Sequence, residues 1–362
     1  MTHLIIDAHQ DLAWNMLTFG RDYSLSAHET RQREIGSLAA EKNGDTLLGW
    51  PEFQQGRVAL IFGTLFAAPT RTKLGDWDIL TYADAEEARQ VYLTQIDAYD
   101  RLFDQHPDKF QPVRTTRDLS AVIEKWTQPG NPPAPTGLLT LMEAAEAVRS
   151  VDELDEWWQR GVRIIGPAWK STRFCGGTRE PGPLTPEGRS LLAGMAERGF
   201  SLDISHMAWE AALEALDLYE GHIIASHANP LKMVRHGDSN RFLTDEIIDR
   251  LIERGGIIGV IPFNIFLDQS WRKGDPRSQC PLDFVASHID YICQRAGNAL
   301  HAGIGTDFDG GFGLQSVPPE LDTIADLQKL VPLLEARGYS LQDIQAILGR
   351  NWLNHLEKSL PA

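Results

Sequence analysis

The stretch LIIDAHQDLAWNM, residues 4–16, sets three apolar residues in a row and then places Asp7, His9 and Asp11 at every second position. Period two is strand geometry, so His9 and Asp11 can project from one side of an extended segment and meet at its C-terminal end. A buried strand that ends in an imidazole and a carboxylate raises the question of a metal ion.

Seven more short apolar runs follow: VALIFGTLFA from 58, GLLTLME from 137, VRIIGPA from 162, SLDIS from 201, HIIAS from 222, GIIGVIPF from 256 and AGIGTD from 302. They are continuous rather than alternating, which suits parallel strands covered on both faces. Helical patterns with readable ends lie between them. In LTPEGRSLLAGMAERG, Thr185 is the expected N-cap, Pro186 takes the first helical position and Gly199 the left-handed stop. LTDEIIDRLIERGG repeats the logic with Thr244 as cap, Ile247, Ile248, Leu251 and Ile252 as the buried stripe and Gly255 as the stop. YSLQDIQAIL opens with Ser340 and Asp343, spaced as a capping box.

Strand then helix, repeated eight times without a break, predicts an α/β fold closed as a (β/α)8 TIM barrel. Residues 1–362 are expected to form one such domain, with a long insertion at about 67–136. That insertion holds an amphipathic helix near DAEEARQVYLTQIDAYDRLF and a Pro-rich connector, QPGNPPAPTG.

Bulk properties narrow the function. Apolar residues make up 42% of the chain, enough for a substantial core, and 50 acidic against 34 basic residues give a formal charge of −16. Such a charge repels phosphate backbones and anionic membranes, so neither nucleic acid nor a membrane is an expected partner. Cys175, Cys280 and Cys293 show no CxxC spacing, which suggests neither a disulfide framework nor a thiolate metal site. With no leader pattern, membrane span or apolar tail, the chain reads as cytoplasmic.

In a barrel of this kind the reactive groups come from strand C-termini and the loops after them. His9 and Asp11 follow the first strand, Glu143 ends the third, His206 follows SLDIS, His227 ends its run's loop and Asp307 closes AGIGTD. Imidazole and carboxylate without thiolate suit zinc, or another borderline divalent ion. Five ligands exceed what one tetrahedral catalytic zinc with an open position needs, but they suit two ions sharing a carboxylate and a hydroxide. The expected arrangement has His9 and Asp11 on one ion, His206 and His227 on the other, Glu143 between them, and Asp307 as the proton carrier. Other histidines are read as structural. Asp7 is either an acceptor behind a ligand histidine or a strand-end residue, and Asp309 is read as a turn-former beside Gly310.

The stretches DAHQDLAW, TLMEAAEAV, LDISH, IIASHANP and IGTDFDGGFG, in this order, resemble the membrane (renal) dipeptidase family of the amidohydrolase superfamily. The resemblance spans residue 5 to about 355. It implies a metal-dependent barrel, two Zn2+ per chain, hydrolysis of small dipeptides and a homodimer. Its five ligand positions fall on His9, Asp11, Glu143, His206 and His227, and its proton-transferring aspartate on Asp307. The family's arginine for the substrate carboxylate aligns with Arg241 in GDSNRFLTDE, and a guanidinium suits that task.

One position departs from the family. Where it usually has a histidine that contacts the substrate carbonyl, this chain reads IIGPAWKST and places Trp169. Indole donates one hydrogen bond but carries no charge, so oxyanion stabilisation is expected to weaken or to come from Lys170, Arg173 or Asn264. Two alternatives to a dipeptidase follow: a related enzyme acting on an N-acyl amino acid, a lactone or a tautomerising cyclic compound, and a non-catalytic metal-binding barrel.

Overall fold

The computed structural model describes residues 3–130 and 132–362. All eight apolar runs form strands: β1 (Ile5–Gln10), β2 (Val58–Leu65), β3 (Thr136–Glu143), β4 (Val162–Gly166), β5 (Ser201–Asp203), β6 (Ile223–Ile224), β7 (Ile258–Val260) and β8 (Ala302–Ile304). Every neighbouring pair is parallel, in the order β6-β5-β4-β3-β2-β1-β8-β7, and a parallel bridge between Ala225 and Ile258 joins the two edges. The fold is a (β/α)8 barrel.

Glycines decide where strands come close. A Cβ on Gly259 or on Gly305 would lie 1.9 Å from the Ser226 carbonyl oxygen, so only glycine on β7 and after β8 lets the chain after β6 nest between them. Beneath the barrel, Trp352 closes the floor; its Nε1 donates to Ile304 O at 3.0 Å and its ring packs edge-on against Phe62.

The helix signals read as expected. Thr185 caps Pro186–Glu197 through Gly188 N at 3.0 Å, Thr244 caps Asp245–Glu253, and Ser340 with Asp343 forms a capping box at Leu341–Gln345. Gly199 and Gly255 take φ of 80° and 70° as helix stops. Ile252 departs from its stripe: it is half-buried, because the apolar face is complete with Ile247, Ile248 and Leu251.

Residues 67–136 hold more than the helix foreseen there. Besides Ala85–Gln105 they contain a helix at Thr116–Trp126 and a strand at Phe110–Pro112, which pairs in parallel with Thr136–Leu138 of β3. Three residues carry too little periodicity to mark a strand. The Pro-rich run lies between that helix and β3; its residue 131 is outside the described residues. Among the described residues no helix is long and apolar enough to cross a membrane.

Candidate metal centre

The strand ends deliver six of the eight singled-out side chains to one point. His9 leaves β1 fully buried. Asp11 lies one residue beyond β1, at the N-cap of helix Leu12–Phe19, rather than in the strand itself; Thr64 of β2 donates to its carboxylate. Glu143 ends β3, and the Tyr92 hydroxyl donates to the carbonyls of Glu143 and Ala144 at 2.5 and 2.9 Å. His206 and His227 follow β5 and β6. Asp307, with φ of 57°, follows β8. A Cβ on Gly310 would sit 2.0 Å from Asp307 Oδ1 and 2.7 Å from Asp11 Oδ2, so glycine there leaves room for two carboxylates to approach.

The distances are short. His9 Nε2 lies 3.6 Å from Glu143 Oε2 and 3.9 Å from both Asp11 Oδ2 and Asp307 Oδ1. His206 Nε2 lies 2.9 Å from Glu143 Oε1, and His227 Nε2 lies 3.6 Å from the same oxygen. The two Nε2 atoms are 2.9 Å apart, and the His9 and His227 rings stack at 3.5 Å. Two overlapping sets of donor atoms result, His9 with Glu143 and His227, and His9 with Asp11 and Asp307.

A layer behind the cluster sets which ring nitrogen carries the proton. The Asp203 carboxylate accepts from Ser205 Oγ and Ser226 Oγ, each at 2.5 Å, and from Ser205 N and Ser226 N at 3.1 and 2.9 Å. Ser226 thus spends its proton on Asp203 and has only lone pairs left for His227 Nδ1 at 2.8 Å and His9 Nδ1 at 3.3 Å. In their neutral form, which a metal requires, the imidazoles therefore donate from Nδ1 and leave their Nε2 lone pairs facing the cluster. Thr178 Oγ1, 2.9 Å from His206 Nδ1, stands in the equivalent place for the third ring.

Electrostatics follow from this crowding. Burial raises the Asp11 carboxyl to about 6, with Glu143 adding to the effect, and holds Asp307 well above the usual carboxylate range, with Asp11 and Glu143 acting the same way. Burial alone would lower His9, but Glu143, Asp11 and Asp307 outweigh it and lift the imidazole to about 9. His206 is pushed down to about 4 by burial and by Arg241. Burial likewise holds His227 well below the usual range, helped by His9 and Arg241.

Two buried carboxylates and the half-buried Asp307, a His9 Nε2 without a hydrogen-bond partner among the described residues, and two Nε2 atoms facing each other form a donor set that a divalent cation satisfies. The residues present therefore fit the group that the sequence implied.

A cavity of about 500 Å³ opens above the cluster, with Asp11, Glu143, His206, Asp307 and Arg241 in its wall and Trp14, Phe66, Trp77, Trp169, Phe242 and Phe266 among its apolar remainder. Arg241 is buried and donates to Ser205 O and His227 O, each at 2.8 Å, so it also fixes the two histidine loops; its Nε has no partner. Trp169 packs edge-on against Phe66 at 5.0 Å. Of the three substitutes weighed for the missing histidine, only Lys170 reaches the cavity wall. Arg173 pairs with Glu146 at 2.8 Å, and Asn264 is buried with its amide on Val317 O.

Asp7 and Asp309 work elsewhere. Asp7 accepts from Thr306 N and Oγ1 and from Gln10, tying β1 to the end of β8, and bonds no histidine. Asp309 does turn the chain, with φ of 66°, but is also a buried anchor for Arg21, Tyr23 and Thr46. Sequence reading missed Ser226, Asp203 and Thr178. Two serines stand next to histidines in LDISH and IIASHANP, but adjacency alone does not tell a proton acceptor from a loop residue.

The model of the membrane dipeptidase family, peptidase family M19, matches residues 1–359. An uncharacterized protein in the pqqA 5' region of Klebsiella pneumoniae is 31% identical over 214 residues, which cover 57% of this chain and 75% of that protein. Dipeptidase tcpJ of Claviceps purpurea is 24% identical over 311 residues, 84% of this chain and 67% of that one. The crystal structure of a metallopeptidase from Rhodobacter sphaeroides, liganded with a phosphinate mimic of the dipeptide L-Ala-D-Ala, matches with a TM-score of 0.78 at 23% identity, over 99% of this chain and 100% of that chain.

Proposed function

The chain belongs to the membrane dipeptidase family, and from that premise we propose that it hydrolyses the amide bond of small dipeptides at the strand-end cluster. The observation that supports this reading is the meeting of three imidazoles and three carboxylates, delivered by five strands, at the base of one cavity whose wall includes Asp11, Glu143, His206 and Asp307. His9, Asp11, His206 and His227 would hold two divalent cations, zinc by donor chemistry, with Glu143 shared between them. When bound, such a pair supplies an ionised water at neutral pH and a Lewis acid for the scissile carbonyl.

The chain's own groups do the rest. Asp307 takes a proton at its carboxylate and returns it to the nitrogen of the departing amine. Arg241, which lines the cavity, receives the substrate carboxylate there, while its hydrogen bonds to Ser205 O and His227 O keep the His206 and His227 loops in place. Aromatic walls keep bulk water from the reacting bond and strengthen each of these charges.

A second reading keeps the chemistry but changes the substrate. Trp169 places an uncharged indole where the family has histidine, which favours an N-acyl amino acid, a lactone or a tautomerising cyclic compound over an ordinary dipeptide. A non-catalytic barrel has no use for Asp307. The test is a panel of L,L- and L,D-dipeptides, N-acyl amino acids and lactones, assayed with zinc-loaded protein of measured metal content. Dipeptide turnover supports the main reading; turnover of the others alone supports the second; no turnover of any supports neither.

A further inference from the structure

The cavity wall holds one carboxylate that the mechanism leaves unused. Asp78 lies on the loop before strand Thr81–Tyr82, is 3% exposed and lines the cavity. Its Oδ2 accepts from Leu74 N at 3.2 Å, and among the described residues no other hydrogen bond and no ion pair reaches it. The basic residues of the cavity wall, Lys42, Lys170, Arg179 and Arg241, make no bond to it. Burial holds its carboxyl above the usual range, and the exposed Lys73 offsets this only in part.

Two indoles flank the same space. Trp77 precedes Asp78, and the Trp14 and Trp77 ring centroids lie 6.2 Å apart with the ring planes at 82°. Both line the cavity. Phe19 stacks on Trp77 at 5.7 Å and holds that ring in position. Aromatic rings that share a cavity wall with a buried carboxylate attract a cation by ring quadrupole and by charge together. An apolar side chain would suit the rings but leave the Asp78 carboxylate desolvated with one backbone donor for its charge, which costs free energy.

We propose that Asp78, with the rings of Trp14 and Trp77, receives a positively charged nitrogen of the substrate, ammonium or guanidinium, and so selects cationic substrates. The inference rests on the hydrolase reading above and extends it to specificity. The cation has two sources, the α-amino group and a basic side chain, and the experiment separates them.

The zinc-loaded protein is assayed with L-lysyl-L-alanine, L-norleucyl-L-alanine and N-acetyl-L-norleucyl-L-alanine. The first pair isolates the side-chain charge and the second pair the α-amino charge. In at least one pair the cationic member is preferred in kcat/KM by about tenfold to a hundredfold, as a charge-assisted contact provides, with the difference carried by KM. Asp78→Asn keeps the acceptor for Leu74 N and removes that preference; Asp76→Asn, on the exposed side of the same loop, retains it. Equal turnover in both pairs by the wild type, or a preference that survives Asp78→Asn, overturns the assignment. Calorimetric titration with lysinamide gives a readout without turnover: binding that Asp78→Asn weakens at least about tenfold supports the site, and no binding by the wild type overturns it. If none of the three peptides is hydrolysed, the dipeptidase reading fails on its own while the titration still decides the cation site.

Discussion

Removal of a single hydroxyl behind the metal centre tests how the imidazoles are aimed. In Ser226→Ala the Asp203 Oδ2 atom loses its one hydrogen-bond partner among the described residues, at 2.5 Å, and His227 Nδ1 loses its one acceptor among them, at 2.8 Å. Ser226 and Asp203 are both buried, so water does not replace the lost contacts. One charge-assisted bond of about 1.5–3 kcal/mol disappears, and the His227 tautomer with a free Nε2 is no longer favoured. Loss of such a partner behind a ligand histidine lowers metal affinity about 10–100-fold, or about 1.4–2.7 kcal/mol. Zinc competition against a chromophoric chelator measures the affinity, and urea unfolding of the metal-free protein measures the stability of the same variant. Unchanged zinc affinity in a folded Ser226→Ala protein refutes the argument that Ser226 sets the tautomer.

Asp307→Asn should cut turnover about 10²–10⁴-fold while zinc content measured by atomic absorption stays at the wild-type level. Dialysis against a chelator should abolish hydrolysis and zinc should restore it; activity that persists in metal-free protein counts against the proposed chemistry. Stability should fall in acid for a reason outside the site. Burial holds His288 and His355 down to about 3, so between that value and about 6.5 the unfolded chain binds more protons and stability drops as pH falls. From pH 7 to 5 each histidine costs about 2 kcal/mol. His288→Leu should remove its share of the slope, read as the difference in urea unfolding between wild type and variant at pH 7 and pH 5.

The eight strands were legible because each is a continuous apolar run, and the helix ends because Thr185, Thr244, Ser340, Gly199 and Gly255 act within one turn of chain. The strand at Phe110–Pro112 was not, since three residues show no period and its partner lies beyond a whole helix. The six residues of the candidate centre could be named because strand C-termini share one end of a barrel, so residue type and position at a strand end suffice to collect them.

Sequence alone thus determined the barrel, its active end and the side chains gathered there, since each depends on local periodicity or on strand direction. Tertiary structure alone decided that Ser226 and Asp203 dictate the ring protons, that Arg241 ties two histidine loops together, and that Asp78 shares the cavity wall with Trp14 and Trp77. Those facts are distances of a few ångströms whose side-chain directions are set by how the loops pack. No spacing rule encodes them, because hydrogen bonds and charge pairing act through space and are settled only when the core has packed.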